Sequence, residues 1–347
     1  MAISLADKEY ITNAIKCHLH PLRNASIFIS GATGFFGKWL LESFVYLNTR
    51  LKLNAHVYAL SRNPENFLKQ FTTIYDEKCI SWIKGDIKTF EFPDVVLQYI
   101  IHAATESDSK LNTESPLEMI DTIDIGTRRV LEFARKQSTL KAMLFTSSGA
   151  VYGKQPGNVT GMKETDSFKI DLNSPGSAYA EGKRLAELYC SIYEKIYKVP
   201  VKIARCFAFV GPYLPLDKHY AIGNFIYDGL NGRNITISGD GLPLRSYMYS
   251  ADLVIWLWTL LLEGECGEAY NVGSDKPTSI HDLAFKIAEF FPGISVNTLN
   301  LTRPGDRNQN YIPDVSKFKN KFKFDQNTDL DNAIQKTISF YKNINEE

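Results

Sequence analysis

Three glycines spaced three residues apart, directly after a short apolar run, constrain the fold more than any other feature of the sequence. The run Ser26–Ser30 has the length of a buried strand, and a helical stretch is predicted from Lys38 to Leu47. Gly31 suits a tight turn, Gly34 lets backbone amides approach a ligand closely, and Gly37 allows the helix to pack against the strand. The N–H groups at the start of such a helix attract phosphate. The segment therefore predicts a strand–turn–helix unit that binds the pyrophosphate of a dinucleotide.

Apolar runs and helical windows alternate along the chain up to about residue 210. Such alternation favours right-handed crossovers and a parallel sheet that is covered on both faces. The sequence thus predicts an α/β fold, a Rossmann-type doubly wound parallel sheet. The other predicted strands are His56–Leu60, Cys79–Ile83, Val95–Ala103, Ala142–Phe145 and Val201–Ala204, and the predicted helices are Pro116–Lys136 and Ala178–Lys198.

The chain divides into three predicted parts. Residues 1–24 carry apolar positions at helical spacing and are predicted to form a helical extension packed on the main body. Residues 25–210 form the predicted NAD(P)-binding domain. From residue 211 onwards, glycine, proline and aspartate interrupt shorter elements. Residues 211–347 are therefore predicted to be mainly a smaller, mixed α/β substrate-binding domain, with some chain crossing back to the core of the sheet.

Charge and apolar content limit the classes of partner. The 39 basic and 39 acidic residues cancel, so the chain has no net field that would hold a nucleic acid. No apolar window reaches the roughly 20 residues of a membrane span, and the start MAISLADKEY lacks the pattern of a signal peptide. Five scattered cysteines without CxxC or HExxH spacing predict no metal site. These observations predict a cytoplasmic protein whose partners are neither nucleic acids nor membranes.

The end of the second predicted strand indicates which dinucleotide binds. A carboxylate there would accept hydrogen bonds from the adenosine ribose, whereas an arginine would accommodate a 2′-phosphate. The sequence places Ser61 and Arg62 at this point and has no carboxylate. This favours NADP(H), with NAD(H) possible, although Arg62 is also compatible with a solvated loop.

Tyr179 and Lys183 lie four residues apart near the start of a predicted helix, so they share one helical face. An ammonium group near a phenol favours the phenolate and is expected to lower the pKa of Tyr179. Such a phenol can accept or donate the proton when an alcohol and a ketone interconvert. Ser148 follows an apolar strand and can hydrogen-bond the oxygen that is oxidised or reduced.

Together these motifs resemble an extended short-chain dehydrogenase/reductase of the nucleotide-sugar epimerase/dehydratase family. The resemblance spans roughly residues 25–340 and depends on the order of the motifs as well as on each one. The motifs are the glycine segment 31–37, Gly85-Asp86-Ile87, His102-Ala103-Ala104, Ser147-Ser148, Val151-Tyr152-Gly153, Tyr179-x3-Lys183, Arg205…Gly211-Pro212, Arg245…Asp252, Tyr270-Asn271-Val272-Gly273 and Arg303-Pro304-Gly305-Asp306.

The resemblance implies a role for each matched residue. Tyr179 would be the catalytic base, Lys183 would bind the nicotinamide ribose, and Ser148 would hold the 4-hydroxyl of the sugar. Asn224, Arg245 and Arg303 would grip a nucleotide-diphosphate sugar. A homodimer would form through the helices 116–136 and 178–198. The remaining cofactor contacts would come from the three glycines with Thr33, Phe35 and Phe36, from Ser61 and Arg62, from Asp86 and Ile87 beside the adenine, and from Ala103 and Ala104.

Three departures from the family pattern bear on the reaction. The 4,6-dehydratases carry an acidic pair after the catalytic hydroxyl, and the decarboxylases carry a glutamate at the second of these positions, but this chain has Gly149 and Ala150. Ala208 and Ser246 stand where many relatives have asparagine and aspartate, which bears on the pose of the nucleotide.

The preferred interpretation is a 4-epimerase or a 4-ketoreductase acting on a nucleotide-linked hexose. The alternatives are a 4,6-dehydratase with a relocated acid and base, for which Glu106 and Asp108 are candidates, and a non-catalytic nucleotide-sugar sensor. Glu164 is expected in a solvated loop, and Cys206 is expected in the core.

Overall fold

A seven-stranded, wholly parallel sheet forms the centre of the molecule in the computed structural model. The structure describes residues 2–71, 78–105, 112, 114–218, 220–299, 301 and 310–346. The strands are β1 Ser26–Ser30, β2 His56–Ser61, β3 Ile80–Lys84, β4 Tyr99–His102, β5 Ala142–Ser148, β6 Val201–Cys206, β7 Phe209–Val210, β8 Ile235–Ile237, β9 Leu244–Arg245, β10 Met248–Tyr249, β11 Ala269–Val272, β12 Thr278–Ser279 and β13 Val296–Thr298. The α-helices are α1 Leu5–Ile15, α2 Phe35–Leu51, α3 Pro64–Phe71, α4 Pro116–Arg135, α5 Ala178–Tyr197, α6 Ala221–Leu230, α7 Ser250–Glu263, α8 Ile280–Ala288, α9 Ser316–Phe322 and α10 Leu330–Glu346.

The order of the strands confirms the predicted doubly wound fold. The order across the sheet is β11–β6–β5–β4–β1–β2–β3, so the chain runs outward from β1 in one direction and from β4 in the other. This reversal leaves a crevice at the carboxyl ends of β1 and β4, the position where open α/β sheets bind ligands. The last strand of the sheet, β11, comes from the part of the chain after residue 211 and pairs with β6.

Apolar side chains on both faces of β1 explain its central position. Ile27 and Ile29 pack into one apolar cluster, while Phe28 packs into a second cluster on the opposite face. The first cluster includes residues of α1, α2 and α7, and the second includes residues of α4 and α5. A strand that is covered on both faces needs a continuous apolar run rather than alternation.

The strand β4 is shorter than the sequence predicts, because side chains take over the hydrogen bonding of its expected first residues. The N–H of Leu97 donates to Oε1 of Gln137 at 3.0 Å, and its carbonyl accepts from the Thr139 hydroxyl at 2.9 Å. Leu97 is buried, but it does not join the ladder that begins at Tyr99. The run Val95–Ala103 therefore contains a loop, in which Leu97 is buried and Val96 exposed, as well as a strand.

The N-terminal helix α1 is joined to the main body through buried polar contacts. Asp7 accepts a hydrogen bond from the Tyr249 hydroxyl at 2.9 Å and pairs with Lys336 of α10 at 2.6 Å. The Tyr10 hydroxyl donates to Asp252 of α7 at 2.5 Å. Within the described ranges, none of the helices is long and apolar enough to cross a membrane, and no group of three or more potential metal ligands occurs.

Candidate active site at the carboxyl edge of the sheet

The turn after β1 is pressed against the turn after β4. Gly31 has φ +71°, and a Cβ atom there would lie 2.5 Å from the carbonyl oxygen of Ala103. A Cβ on Gly37 would lie 2.3 Å from the carbonyl oxygen of Gly31, so the helix can approach the turn only without a side chain. Gly34 is the residue that caps α2, and its backbone is extended. Residues 31–37 therefore form a cradle at the N-terminus of a long helix. Its three glycines leave the backbone accessible, which fits the pyrophosphate of a dinucleotide.

A cavity of about 820 Å³ opens beside this cradle. It brings together most of the residues predicted for the cofactor and for catalysis. The lining includes Gly31, Gly34, Phe35, Phe36, Ala103, Ser148, Tyr179, Lys183 and Arg245.

Lys183 lies at the bottom of this cavity with its ammonium group held by two oxygen atoms. Its Nζ donates to the carbonyl of Thr146 at 2.8 Å and to the hydroxyl of Thr105 at 3.1 Å. The side chain is 1% exposed, and burial lowers the pKa of Lys183 to about 8. About nine in ten Lys183 side chains therefore remain protonated at pH 7, and the neutral form becomes the major one only above about pH 8.

The expected lowering of the Tyr179 pKa is wrong for this structure. Nζ of Lys183 lies 5.9 Å from the centre of the Tyr179 ring, and desolvation of the phenol is the dominant effect. Burial raises the pKa of Tyr179 above its usual value, while a hydrogen bond from Ser148 opposes this shift. The phenol is therefore protonated at neutral pH in the protein alone.

Tyr311 is a residue of the site that the sequence analysis missed. Its side chain lines the cavity, and its hydroxyl lies 2.6 Å from the position that a Cβ atom of Gly149 would occupy. Its ring lies 4.8 Å from that of Phe207. The motif Arg303-Pro304-Gly305-Asp306 ends five residues before Tyr311, but no local pattern marks the tyrosine itself.

Gly149, the first departure from the family pattern, is sterically required. A Cβ atom at this position would lie 2.6 Å from the Tyr311 hydroxyl and 2.8 Å from the ring of Phe207. Among the described residues that line the cavity, none is aspartate or glutamate. Glu106 and Asp108, the candidates for a relocated acid and base, lie outside the described residues.

The residues predicted to select the cofactor lie at the ends of β2 and β3. The hydroxyls of Ser61 and Thr33 are 3.5 Å apart, and Arg62 is exposed beside them. Asp86 follows β3 and accepts a hydrogen bond from the N–H of Lys88 at 2.8 Å. The neighbouring Ile87 is buried against α4, and Ala104 is partly buried against the apolar cluster to which Ile87 belongs.

A second cavity of about 600 Å³ adjoins the first, and Arg245 lines both. Asn224 of α6, which the sequence analysis assigned to the substrate, lines the second cavity. Nη1 of Arg245 donates to the carbonyl of Leu244 at 2.9 Å, and burial lowers the pKa of this guanidinium from its usual range. Arg303, the third predicted substrate residue, lies outside the described residues.

The expectation of a solvated loop at Glu164 is wrong. Its carboxylate accepts a hydrogen bond from the N–H of Asn271 at 2.8 Å, and its carbonyl accepts one from Arg205 at 2.9 Å. The half-buried carboxylate therefore satisfies a backbone N–H of β11, the edge strand of the sheet. Cys206 is buried as expected, and burial raises the pKa of its thiol to about 12, which argues against a thiolate.

Comparison with known proteins agrees with the fold and with the motifs. The curated relatives include UDP-glucuronic acid decarboxylase 6 of Arabidopsis thaliana, which is 28% identical over 309 residues, covering 86% of this chain and 85% of the relative. A probable dTDP-glucose 4,6-dehydratase of Sinorhizobium fredii is 26% identical over 337 residues, covering 91% of this chain and 92% of the relative.

Solved structures with other reactions share the fold. The UDP-N-acetylglucosamine 4-epimerase of Methanobrevibacter ruminantium has a TM-score of 0.80 at 22% identity, covering 93% of this chain and 99% of that one. The epimerase Mth375 of Methanothermobacter thermautotrophicus has a TM-score of 0.81 at 22% identity, covering 96% and 97%. The family model described as "NAD dependent epimerase/dehydratase family" matches residues 27–273, which is more than half of the sequence. The chain therefore belongs to the NAD dependent epimerase/dehydratase family, as its motifs predicted.

Proposed function

We propose that this protein oxidises or reduces C4 of a nucleotide-linked hexose, as a 4-epimerase or a 4-ketoreductase, without eliminating water or carbon dioxide. The observation that carries this proposal is the absence of carboxylates from the described lining of the larger cavity. Elimination across C5 and C6 needs an acid and a base beside the sugar. Gly149 and Ala150 supply neither, and Tyr311 and Phe207 fill the space where a side chain of residue 149 would stand.

Tyr179 is the proposed acid and base, and Ser148 is proposed to hold the O4 atom. In the protein alone Tyr179 is protonated, which suits proton donation to a carbonyl oxygen. Proton acceptance by Tyr179 requires nearby positive charge, which Lys183 supplies in its ammonium form. Because burial brings the pKa of Lys183 to about 8, this assistance weakens above that pH.

The cradle at residues 31–37 and the larger cavity fit a nicotinamide dinucleotide. The backbone of the cradle and the N-terminus of α2 would hold its pyrophosphate, and Lys183 would hold the ribose next to the nicotinamide. Ala103 and Ala104 would line the bound dinucleotide. When bound, the cofactor supplies hydride chemistry that no side chain of this protein possesses.

We further propose a preference for NADP(H). The end of β2 carries Ser61 and Arg62, and an arginine here suits a 2′-phosphate. Replacing Arg62 by alanine is expected to weaken NADPH binding roughly tenfold or more, because a charge-assisted hydrogen bond contributes roughly 1.5–3 kcal/mol. The affinity for NADH serves as the matched control and is expected to remain unchanged. Equal weakening for both cofactors, measured by titration calorimetry, would contradict this preference.

The second cavity is the proposed site of the nucleoside diphosphate. Arg245 lies between the two cavities, where a guanidinium can hydrogen-bond a diphosphate that joins the sugar to the nucleoside. Asn224 would contact the same group from α6. The proposed role of Arg303 rests on the family resemblance alone.

A homodimer is also proposed, through α4 and α5. These helices pack against each other, yet several of their apolar side chains face solvent in the single chain. Two such helix pairs can form a four-helix bundle that buries these side chains. The exposed residues are Leu117, Ile125, Leu188, Ile192, Ile196 and Tyr197.

The reaction can be tested with a panel of nucleotide-linked hexoses, with products identified by mass spectrometry and the cofactor followed by absorbance. An isomer of unchanged mass establishes an epimerase. Oxidation of NADPH only when a 4-keto sugar is supplied establishes a ketoreductase. Loss of one water from the sugar would contradict the proposal and restore the dehydratase alternative.

A matched pair of variants links any turnover to the site. Tyr179→Phe is expected to retain cofactor binding and lose activity, whereas Tyr197→Phe, on the same helix but half exposed and outside the cavity, is expected to be active. Binding of cofactor and nucleotide sugar without any turnover in the unaltered protein would instead indicate a sensor.

A further inference from the structure

A buried carboxylate on α2, that of Glu42, is a point where the N-terminal extension (residues 1–24) meets the body of the protein. Glu42 is only 1% exposed. Its Oε2 atom accepts a hydrogen bond from the N–H of Ile3 at 2.9 Å and lies 3.4 Å from Nζ of Lys8. Its Oε1 atom accepts a hydrogen bond from the hydroxyl of Tyr213. One carboxylate therefore contacts the extension through one oxygen and the loop after β7 through the other.

The loop after β7, residues 211–216, has an unfavourable backbone conformation beside the larger cavity. Tyr213 has φ +70°, in the left-handed region. A residue with a Cβ atom keeps this conformation only where its surroundings hold it, and a bulky aromatic residue adopts it rarely. Leu214 and Pro215, which follow directly, line the larger cavity. The conformation of Tyr213 therefore determines where this part of the cavity wall lies.

Three successive residues of the loop are held by side chains from two helices. The carbonyl of Pro212 accepts a hydrogen bond from Nε1 of Trp39 in α2 at 2.8 Å. The carbonyl of Leu214 accepts one from the hydroxyl of Tyr341 in α10 at 2.6 Å. Between them, the Tyr213 hydroxyl donates to the carboxylate on α2. The first two contacts hold backbone atoms, whereas the third holds a side chain and depends on the state of its acceptor.

The ring of Tyr213 is enclosed, so its hydroxyl stays directed at Glu42. Phe340 of α10 packs edge-on against the ring at 4.8 Å, and Nζ of Lys38 lies 5.1 Å from the ring centre. Lys38 lies one helical turn before Glu42, and the charge of that carboxylate favours its ammonium form.

The contact with Tyr213 requires an ionised carboxylate. A protonated carboxyl group carries its own proton and competes with the phenol for the role of donor. Burial raises the pKa of Glu42, while the Tyr213 hydroxyl, the Lys8 ammonium and the N–H of Ile3 oppose this shift. Lys8 therefore supports the Tyr213 contact although it lies at the other oxygen.

The helix that holds this loop also forms the dinucleotide cradle at its N-terminus. Phe36, in the cradle, lines the larger cavity together with Leu214. Its ring packs edge-on against that of Phe209 at 5.3 Å, two residues before the loop begins. A dinucleotide in the cavity would therefore lie beside both the cradle and the loop.

We propose that Glu42 is a positioning residue through which the N-terminal extension holds the loop 211–216 against the larger cavity. Ile3 and Lys8 orient the carboxylate and keep it ionised, and the carboxylate keeps Tyr213 in its left-handed conformation. This inference rests on the proposed function only in taking the larger cavity as the site of the dinucleotide.

Hydrogen exchange followed by mass spectrometry tests the loop without any ligand. Tyr213→Phe keeps the ring, removes the hydroxyl, and is expected to speed exchange of the amides in the loop roughly tenfold. Lys8→Met is expected to speed it roughly threefold, whereas Lys8→Arg keeps the charge and is expected to match the unaltered protein. In the Tyr213→Phe background Lys8→Met is expected to add nothing, because the contact that it supports is gone. Lys8 is partly exposed, so its variants keep the test available if Tyr213→Phe does not fold.

Tyr10→Phe is the matched control. It also removes a tyrosine hydroxyl that donates to a buried carboxylate, here that of Asp252 at 2.5 Å, and it lies in α1 two residues after Lys8. Exchange in the loop is expected to stay unchanged. The proposal is overturned if Tyr10→Phe loosens the loop as much as Lys8→Met does, or if exchange in Tyr213→Phe rises equally in β1 and α4.

Titration with NADPH then tests the connection between the loop and the cavity. Tyr213→Phe is expected to raise Kd roughly fivefold and Lys8→Met roughly twofold, while Tyr10→Phe leaves it unchanged. With an active substrate, KM for the dinucleotide is expected to rise by the same factors with kcat nearly constant, because the reacting groups on α5 and β5 do not move. An unchanged Kd in a protein whose loop exchanges faster would overturn the proposal.

Failure of this inference is distinguishable from failure of the proposed function. If the unaltered protein binds neither NADPH nor NADH, the proposed function is wrong, and the exchange data still decide whether the extension holds the loop. If the dinucleotide binds and reacts but Lys8→Met and Tyr213→Phe leave loop exchange unchanged, only the role of Glu42 is wrong.

Discussion

Gly149→Ala tests directly whether the site has room for a side chain where dehydratases carry an acid. The added methyl carbon would stand 2.6 Å from the Tyr311 hydroxyl and 2.8 Å from the Phe207 ring. Tyr311 is fixed by its backbone bridge to Arg245 and by the packing of its ring against Phe207, so it cannot move aside freely. Overpacking of this kind costs about 1–3 kcal/mol.

A second effect opposes this cost. Replacing glycine by alanine reduces the conformational entropy of the unfolded chain, which stabilises the folded protein by about 0.4–1 kcal/mol where the backbone permits a side chain. The φ angle of Gly149 is not in the left-handed region, so this gain applies. We therefore expect Gly149→Ala to lower the free energy of unfolding by about 1–2 kcal/mol.

Urea unfolding measures this difference, and a second substitution identifies its cause. In a Tyr311→Phe background the shortest contact is gone while the Phe207 contact remains, so the cost of Gly149→Ala is expected to fall by about half. Gly176→Ala is the matched control, since Gly176 also lies in a 3₁₀ turn but its added methyl would meet only the Ser174 hydroxyl, at 3.5 Å. A Gly149→Ala protein as stable as the unaltered one in both backgrounds would refute the packing argument.

A well-folded Gly149→Asp protein that eliminates water from a nucleotide-linked hexose would refute the proposal that this site does not catalyse elimination.

Three further predictions concern charge, cofactor and assembly. Burial lowers the pKa of Lys183 to about 8, so from about pH 8 to pH 10 the unfolded chain holds a proton that the folded chain has lost. The cost of burying the ammonium is relieved over this range, and the free energy of unfolding should rise with pH by up to about 3 kcal/mol. Urea unfolding should show that this rise is missing from Lys183→Met, and identical pH slopes would contradict the prediction. Gly31→Ala should weaken cofactor binding at least tenfold, roughly, as measured by titration calorimetry, because alanine is strained at φ +71° and its methyl group would overlap the carbonyl of Ala103. An unchanged affinity would show that the turn adapts to the side chain. Ile192→Glu should give a sedimentation mass near the 39.3 kDa of one chain, while the control Leu172→Glu, in an exposed loop, should remain dimeric. A dimeric Ile192→Glu protein would show that the interface lies elsewhere.

Local sequence patterns predicted the elements that position the site. An apolar run, a glycine turn and a helical stretch are all short-range features, and they located β1 and α2, although α2 begins at Phe35 rather than Lys38 because Gly34 caps it. Hydrophobic pattern alone could not locate the start of β4. Leu97 is as apolar and as buried as a strand residue, but its backbone is satisfied by side chains that lie some forty positions further along the chain.

The same distinction between local and distant contacts applies to the chemistry. Tyr179 and Lys183 are brought together by one turn of a helix, so their spacing was sufficient to predict that they share a site. The sign of the Tyr179 pKa shift depends on burial by distant segments, and the sequence analysis reversed it because it considered only the neighbouring lysine.

The structure gives a physical reason why position 149 carries no acidic side chain. In the sequence, Gly149 indicates only that an acid is lacking, and a lacking acid is compatible with replacement from elsewhere. In the structure its Cβ position is closed by Tyr311 and Phe207, two aromatic residues from different segments that pack against each other. The Tyr311 phenol therefore closes the first of the two positions where dehydratases carry their acidic pair, so a change towards dehydratase chemistry would require replacing Tyr311 as well as Gly149 and Ala150.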